Sequence, residues 1–385
     1  MKILQLTAHY QPNVGGVETH LNDLVSILTK KDNDVFVLTY KPLTAKISAK
    51  ISEKNDKLEV LRIPWVTGFF YKFIRTPLLE FLYLVPGLFL VTPAVLLIKR
   101  PEVIHSHGLV AGFVAVFWGK IFKVRVIATT HSIYHFPEKG LYHNFAKWIF
   151  SNSDAILTLS KQSKREIMEL GVEEKKITVF TYWIDLKKFQ ITNSKLQQKK
   201  NFGWEDKFIV LYVGRLVVEK GVLQLLEAVK IWDKQSLAKG NFGRNIHLVV
   251  CGVGPLEEKV RESVDSGLNV MYLGNVEQEE LPRIYNAADV TIVPSIHEEG
   301  FGRVILESLA CGTPVIGSNR GAIPEAMDET VGKLIKVTPQ NIRKEVENFY
   351  KNPDELKKLS KNARKFAEKN YSDKNIKMIT SSYID

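Results

Sequence analysis

The sequence predicts an α/β protein of two successive domains, each built on a parallel sheet. Short β-branched strands are followed repeatedly by a glycine-bearing loop and then by a helix with one apolar face. The chain has 385 residues and 45% hydrophobic content, enough for two cores at the usual size of roughly 100–200 residues per domain. The strand–helix rhythm breaks at a polar run rich in Gln and Lys, 195–201, and then resumes, so this run is expected to be the interdomain linker.

In the first half, Ile3–Thr7 reads as a strand. It leads through H-Y-Q-P-N-V-G-G-V-E to a helix marked by Leu21, Leu24, Val25 and Leu28. Gly15 and Gly16 fall at the carboxyl end of that strand, where open parallel sheets bind ligands through backbone N–H groups, although the pair alone reads as a turn. The next strand is Val35–Thr39. Asp32 and Asp34 precede it in a helix–strand turn, the wrong end of a strand for a metal site in such a sheet, and a metal pair is rejected.

Residues 69–98 are unusually apolar, and from Leu78 to Ile98 the single charge is Glu80. The length approaches that of a membrane span, but Pro86, Gly87 and Pro93 interrupt it. Two short buried helices are expected. The other reading is a surface helix dipping into a bilayer with Lys72, Arg75, Lys99 and Arg100 near the headgroups. Val103–Ser106 follows in I-H-S-H-G, with His107 at its carboxyl end. Val124–Ala128 runs into T-T-H-S, placing His131 at another strand end, and Ala155–Ser160 repeats the pattern. Lone histidines are usually structural, but these positions make His107 and His131 functional candidates.

In the second half, Phe208–Tyr212 is a strand followed by V-G-R-L-V-V-E-K-G, where Arg215 and Lys220 suit a diphosphate clamp. His247–Cys251 runs into G-V-G-P, which lacks the third glycine of a dinucleotide fingerprint. Val270–Leu273 ends in G-N-V. Val290–Val293 then leads into P-S-I-H-E-E-G-F-G-R-V-I-L-E-S-L-A-C-G-T-P, from Pro294 to Pro314. Gly300 and Gly302 flank the start of a helix whose free N–H groups and dipole favour a phosphate. That helix carries Val304, Ile305, Leu306, Leu309 and Ala310 on its apolar face and stops at Gly312. Glu299 in the loop and Glu307 about one and a half turns into the helix can face one cleft, and a pair of acceptor-only carboxylates suits a ligand rich in hydroxyls. A phosphate at a helix end beside two such acids describes a nucleotide sugar.

Composition narrows the class. Cys251 and Cys311 lie among apolar or small residues, which suits free thiols in a reducing compartment, and the strand-like run in M-K-I-L-Q-L-T-A is too short for a signal peptide, with no cleavage site after it. A cytoplasmic protein is expected. Residues 1–190 hold 25 Lys+Arg against 16 Asp+Glu, a net +9, whereas residues 191–385 hold 28 against 26. Such a bias attracts anionic partners, namely nucleic acid, an anionic membrane surface or an acidic small substrate. No nucleic-acid motif accompanies it.

Taken together, the motifs V-G-R-L-x-x-E-K-G, C-G-x-G-P-L, Y-L-G-N-V, L-x-x-x-Y-x-A-A-D-V, the Pro294–Pro314 stretch and G-x-x-P-E resemble the family 4 retaining glycosyltransferases. P-N-V-G-G-V-E and I-H-S-H-G extend the resemblance to the first domain, while Y-W-I-D replaces the family's commoner N-G-I-D. The resemblance implies the glycosyltransferase-B architecture, two Rossmann-like domains facing across a cleft. It divides the chain into an acceptor-side domain 1–190, a nucleotide-sugar domain 191–365, and a C-terminal helix, 366–385, returning to the first domain. It implies that Glu299 contacts donor-sugar hydroxyls and Glu307 the ribose. Gly300, Phe301 and Gly302 would contact the donor by backbone, Arg215 and Lys220 the diphosphate, Gly15 and Gly16 the distal phosphate, and Val276 the base. His107 would sit beside the transferred sugar, with His131 on the acceptor side.

The implied reaction is retaining transfer of a hexosyl group from a nucleotide-diphosphate sugar, a co-substrate, with no metal and no cofactor. The acceptor would be a glycan or a lipid-linked hydroxyl at the inner face of the cell membrane. The alternative is a nucleotide-sugar epimerase or hydrolase of similar fold.

Overall fold

The computed structural model describes residues 1–13, 15–43, 48–67, 73, 76–190, 194–239 and 245–384, with backbone alone for 233–239; Lys72 and Arg75 lie outside these residues. The chain divides into two compact units, Met1–Tyr182 with Asn375–Asp385, and Trp183–Lys374. The boundary therefore falls eight residues before the expected 190/191. Its cause is local: the Tyr182 hydroxyl lies 2.9 Å from His131 Nδ1 in the first unit, whereas the Ile184 N–H donates to Tyr371 O in the second at 3.1 Å. The expected returning helix is also divided. Pro353–Asn370 stays with the second unit, and the first takes the chain back only from Asn375.

In the first unit the strands are β1 (Lys2–Thr7), β2 (Asp34–Tyr40), β3 (Ser52–Asn55), β4 (Leu58–Ile63), β5 (Val103–His107), β6 (Arg125–Thr129), β7 (Ala155–Thr158) and β8 (Ile177–Val179). They lie in the order β3-β4-β2-β1-β5-β6-β7-β8, all parallel except the edge pair β3–β4. Alternation along the strands sends Leu4, Leu6, Leu38, Ile104, Val126 and Ala128 into the core under helices Pro77–Lys99, Leu109–Phe122 and Leu141–Asn152. The opposite face carries Gln5, Thr7, His105, His107 and Thr129, all buried. Asp32, set aside as a metal ligand, instead pairs with Lys57 at 2.7 Å.

The apolar stretch is not two short helices. Pro77–Lys99 is one 23-residue helix running through both prolines, and side chains from elsewhere supply what the prolines and the local packing disturb. Pro93 has no N–H for the Phe89 carbonyl, and Trp118 Nε1 donates to that carbonyl at 2.9 Å. Near Gly87 the Tyr40 hydroxyl is inserted into the helical ladder, accepting from Leu88 N–H at 3.0 Å and donating to Leu84 O. A Cβ on residue 87 would meet that hydroxyl at 2.6 Å, which explains the glycine.

The second unit holds β9 (Phe208–Val213), β10 (Ile246–Cys251), β11 (Val270–Gly274), β12 (Val290–Val293), β13 (Val315–Ser318) and β14 (Gly332–Ile335), parallel throughout in the order β11-β10-β9-β12-β13-β14. One face buries Val210, Leu248, Val250, Ile292 and Ile316 under helices Val222–Lys239 and Pro339–Lys351. Cys251 and Cys311 are free and buried; burial pushes the Cys251 thiol up to about 12.

The expected linker is a helix, Lys195–Phe202. Ser194 caps it by accepting from Gln197 N–H, Gly203 ends it at φ 68, and Lys199 Nζ donates to Asp289 Oδ2 at 2.6 Å. Its polar composition reflects long Lys stems docked against the unit's own surface.

Candidate functional site

Each sheet has a point where the chain reverses its direction of travel across the strands. There the loops leaving the carboxyl ends diverge and open a crevice. In the second unit that point lies between β9 and β12. The loop after β9 carries Arg215 and Lys220, and the loop after β12 carries Glu299, Gly300, Phe301 and Gly302, so six of the sequence-predicted residues are brought to one place.

Close backbone contacts hold the two loops together. Ile296 N–H donates to Glu219 O at 2.9 Å, and His297 Nδ1 lies 2.9 Å from the same carbonyl. Gly221 sits at φ 73 against Pro294, and a Cβ there would come within 1.8 Å of Pro294 O. On the other side Ala322 N–H donates to Glu299 O at 3.0 Å, and Arg320 Nη1 to Ile296 O at 2.8 Å. The loops are consequently a preformed frame.

Inside the frame, Lys220 Nζ donates to Glu299 Oε1 at 2.5 Å, and the Ser295 hydroxyl reaches the same oxygen at 2.5 Å. Burial acts to raise the Glu299 carboxyl, but the Lys220 charge, with the Lys220 and Ser295 hydrogen bonds, outweighs it and holds the group below its ordinary value. Glu299 is therefore an ionised acceptor with Oε1 shared between two donors. Arg215 is exposed and has no carboxylate partner among the described residues. Its own carbonyl accepts from the Tyr212 hydroxyl at 2.8 Å, which fixes the backbone at the start of the loop.

Gly302, at φ 82, caps the helix Arg303–Ala310, and its carbonyl accepts from Ile305 N–H at 2.9 Å. Glu307 lies on the inner side of this helix, 6% exposed, accepting from the Tyr285 hydroxyl at 3.0 Å and from Arg303 Nε at 3.1 Å. Glu299 and Glu307 thus belong to separate hydrogen-bond networks of the same unit. Phe301 is buried, with its ring 6.1 Å from that of Tyr371. Val276 is half-buried in the loop after β11, beyond Gly274.

The first sheet reverses between β1 and β5. Gly15 precedes the helix Gly16–Lys30 after β1, with open space beside Gly16, and His107 ends β5. His107 Nε2 lies 2.7 Å from Gln5 Oε1, and its Nδ1 lies 3.0 Å from His131 Nε2. Burial and the neighbouring histidines hold His107 well below its ordinary value, and burial takes His131 down to about 3, so both rings are neutral at neutral pH. Among the described residues no group of three or more His, Cys, Asp and Glu side chains is arranged to hold a metal ion.

Sequence reasoning missed Ser295, Tyr285, Gln5 and Tyr383. Ser295 and Gln5 left a signal: one lies four residues before Glu299 in the same loop, and the other is a lone amide inside an apolar strand. Tyr285 and Tyr383 left none, because their partners are distant in sequence.

Residues 14–188 match the family described as Glycosyltransferase Family 4, and residues 194–366 match Glycosyl transferases group 1. An uncharacterized glycosyltransferase of Methanocaldococcus jannaschii, MJ1607, is 27% identical over 89% of this chain and 86% of its own. A GDP-mannose-dependent alpha-(1-6)-phosphatidylinositol dimannoside mannosyltransferase of Mycobacterium tuberculosis is 23% identical over 92% of this chain and 89% of its own. Among solved structures, Anabaena Alr3699/HepE in complex with UDP-glucose superposes with a TM-score of 0.71 at 17% identity, covering 99% of this chain and 98% of that one.

Proposed function

Because the chain belongs to glycosyltransferase family 4, its two halves matching the family's two domain types, we propose that it moves a hexosyl group from a nucleotide-diphosphate sugar to a hydroxyl acceptor with retention at the anomeric carbon. The observation that carries this reading is the Lys220–Glu299 pair, set at the second sheet's switch point beside the Gly302 helix start. A cation, an exposed guanidinium and the positive end of the helix dipole take a pyrophosphate, and an ionised carboxylate beside them accepts hydroxyls of the attached sugar. Glu307, held by Tyr285 and Arg303, takes the ribose hydroxyls, and Val276 meets the base.

In the transfer step the bond between the anomeric carbon and the β-phosphate oxygen breaks. The acceptor oxygen bonds to the same face of the carbon, and its proton passes to the departing phosphate oxygen. The charge left on that phosphate is met by Arg215, Lys220 and the helix start, so transfer proceeds without a metal and survives a chelator.

To the first unit we assign the acceptor side, with His131, and His107 at the unit's own switch point serves the transfer. The first unit's net positive charge and the apolar helix Pro77–Lys99 support a lipid-linked acceptor taken at a membrane surface. The phosphatidylinositol-based acceptor in the name of the mycobacterial relative supports the same class, and free buried cysteines support a cytoplasmic location.

The test is a screen of UDP- and GDP-sugars for protection against thermal unfolding, which a ligand binding only the folded state raises by mass action, followed by product analysis by NMR. An α-linked donor giving an α-linked product supports the reading. Protection by no nucleotide sugar, an inverted product, or donor consumed equally fast without an acceptor overturns it, the last in favour of an epimerase or hydrolase.

A further inference from the structure

The polar face of the first unit's sheet carries a buried chain of hydrogen-bonded side chains that runs from Tyr383 to His107. The Tyr383 hydroxyl, from the end of the sequence, lies 2.8 Å from His105 Nδ1 and 3.4 Å from Gln5 Nε2. His105 Nε2 lies 2.6 Å from Thr129 Oγ1, and Gln5 Oε1 lies 2.7 Å from His107 Nε2. Each of these five residues is 5% exposed or less. Gln5, His105 and His107 come from the adjacent strands β1 and β5, Thr129 from β6, and Tyr383 from beyond the short helix Ile376–Ser381.

With the Gln5 oxygen toward His107, every bond in the chain has one direction. An amide oxygen only accepts, so His107 donates from Nε2, and a neutral ring must then accept at Nδ1 from His131 Nε2–H. His131 Nδ1 in turn accepts from Tyr182. On the other side the Gln5 NH2 donates to the Tyr383 oxygen, which leaves the Tyr383 proton for His105 Nδ1 and the His105 Nε2–H for Thr129. Reversing Gln5 would require every proton in the chain to change place. The Tyr383 hydroxyl, donor to one partner and acceptor from the other, couples the Gln5 amide to the rest.

We propose that Tyr383 is a positioning residue for glycosyl transfer, fixing through Gln5 the Nε2–H tautomer and ring orientation of His107. The inference rests on the reading that His107 serves the transfer. Glycosyl transfer develops positive charge at the anomeric carbon, and a ring held neutral and in one orientation adds no opposing charge beside it. A residue beyond the helix Ile376–Ser381 thereby takes part in the reaction without touching the sugar.

The experiment compares wild type, Tyr383→Phe, Gln5→Met and the double variant. The first readout is the His107 ring nitrogens by 15N–1H correlation, and the second is transfer from UDP-glucose or GDP-mannose, whichever is the donor. Wild type shows one Nε2–H form. Tyr383→Phe shows a mixture, with kcat down about tenfold and donor KM within about twofold. The double variant costs no more than Gln5→Met alone, because Tyr383 acts through Gln5.

An unchanged His107 tautomer with unchanged kcat in Tyr383→Phe overturns the proposal, as do costs that multiply in the double variant. If Tyr383→Phe fails to fold, Gln5→Met carries the test, and an intact His107 tautomer there overturns it. His107→Ala separates the two levels: near wild-type turnover removes the underlying reading, whereas a dead His107→Ala beside a fully active Tyr383→Phe removes only this inference.

Discussion

Lys220 and Glu299 meet at 2.5 Å across the two loops that diverge from the middle of the second sheet. Their side chains are 22% and 11% exposed, shielded enough for the pair to hold its geometry without ligand. An ammonium fixed by a carboxylate is already oriented and partly desolvated, so an incoming diphosphate need not immobilise a free lysine. The same carboxylate keeps Oε2 available for hydroxyls.

Breaking this pair should cost activity while leaving the second unit folded. Glu299→Gln keeps a group that can accept from Lys220 and Ser295 but loses the charge, and Lys220→Ala leaves the carboxylate with Ser295. Each is expected to lower kcat by about 100-fold or more, the usual cost of losing one charge-stabilising group, with destabilisation of about 1.5–3 kcal/mol, the cost of losing a hydrogen bond to a charged group. Steady-state kinetics beside urea unfolding check both numbers. A variant with near wild-type turnover would remove its residue from the site.

The buried histidines should make the first unit sensitive to acid. Burial lowers His105 and His131 to about 3, against an ordinary value of 6.5. The unfolded chain therefore binds more protons below pH 6.5, and stability is full above that value and falls as pH drops toward 3. At pH 5 the folded groups remain neutral, so the loss is set by the unfolded value alone and comes to roughly 2 kcal/mol for each residue. Chemical unfolding at pH 7 and pH 5, followed by first-unit tryptophans such as Trp118 and Trp148, should show this loss, and unfolding at pH 5 should take up protons. Equal stability at the two pH values would mean that these rings are not buried in the neutral form.

Much of this arrangement is legible from residue order alone. The strand–glycine–helix units, the two switch-point loops and the acids at 299 and 307 follow from local periodicity, which depends on neighbours within a few residues. What is not legible depends on distant partners. The run 195–201 reads as a linker because nothing near it announces Asp289, ninety residues away, which Lys199 grips at 2.6 Å. Pro93 reads as a helix break because the compensating Trp118 lies on another element. Tyr383 reads as one more aromatic near a terminus until the fold lays it against His105, 278 residues earlier.

The glycine at 221 should be indispensable to the frame. At φ 73 an alanine is strained by at least about 1 kcal/mol, and its Cβ would lie 1.8 Å from Pro294 O, a backbone atom that cannot swing aside. Gly221→Ala is expected to separate the loops after β9 and β12, pulling Lys220 from Glu299, with a loss of about 2 kcal/mol or more and a larger rise in donor KM than Gly203→Ala produces. Gly203, at φ 68 with open space around it, supplies the strain without the clash. Similar KM values in the two variants would show that backbone strain alone, and not the close approach, is at work.

The outward side of helix Pro77–Lys99 should bind a bilayer. Leu79, Leu82, Pro86, Leu90, Ala94 and Leu97 recur at spacings of three and four along its exposed side, with Leu82 73% and Leu90 74% exposed. A helix lying on a soluble core normally turns charged residues to water; this one shows none on that stripe and ends at the exposed Arg100, while Lys99 pairs with Glu59 at 2.7 Å. The stripe suits acyl chains below and anionic headgroups beside it. Wild-type protein is expected to float with vesicles containing phosphatidylglycerol at low salt, and more weakly with neutral vesicles or at high salt, because each basic residue near the surface adds about 1 kcal/mol. L82E/L90E should stay in solution with the thermal midpoint unchanged within a few degrees, since both side chains are already exposed. Flotation of that variant equal to wild type would place the contact elsewhere, and wild type that floats with neither vesicle would remove the membrane from the proposed reaction.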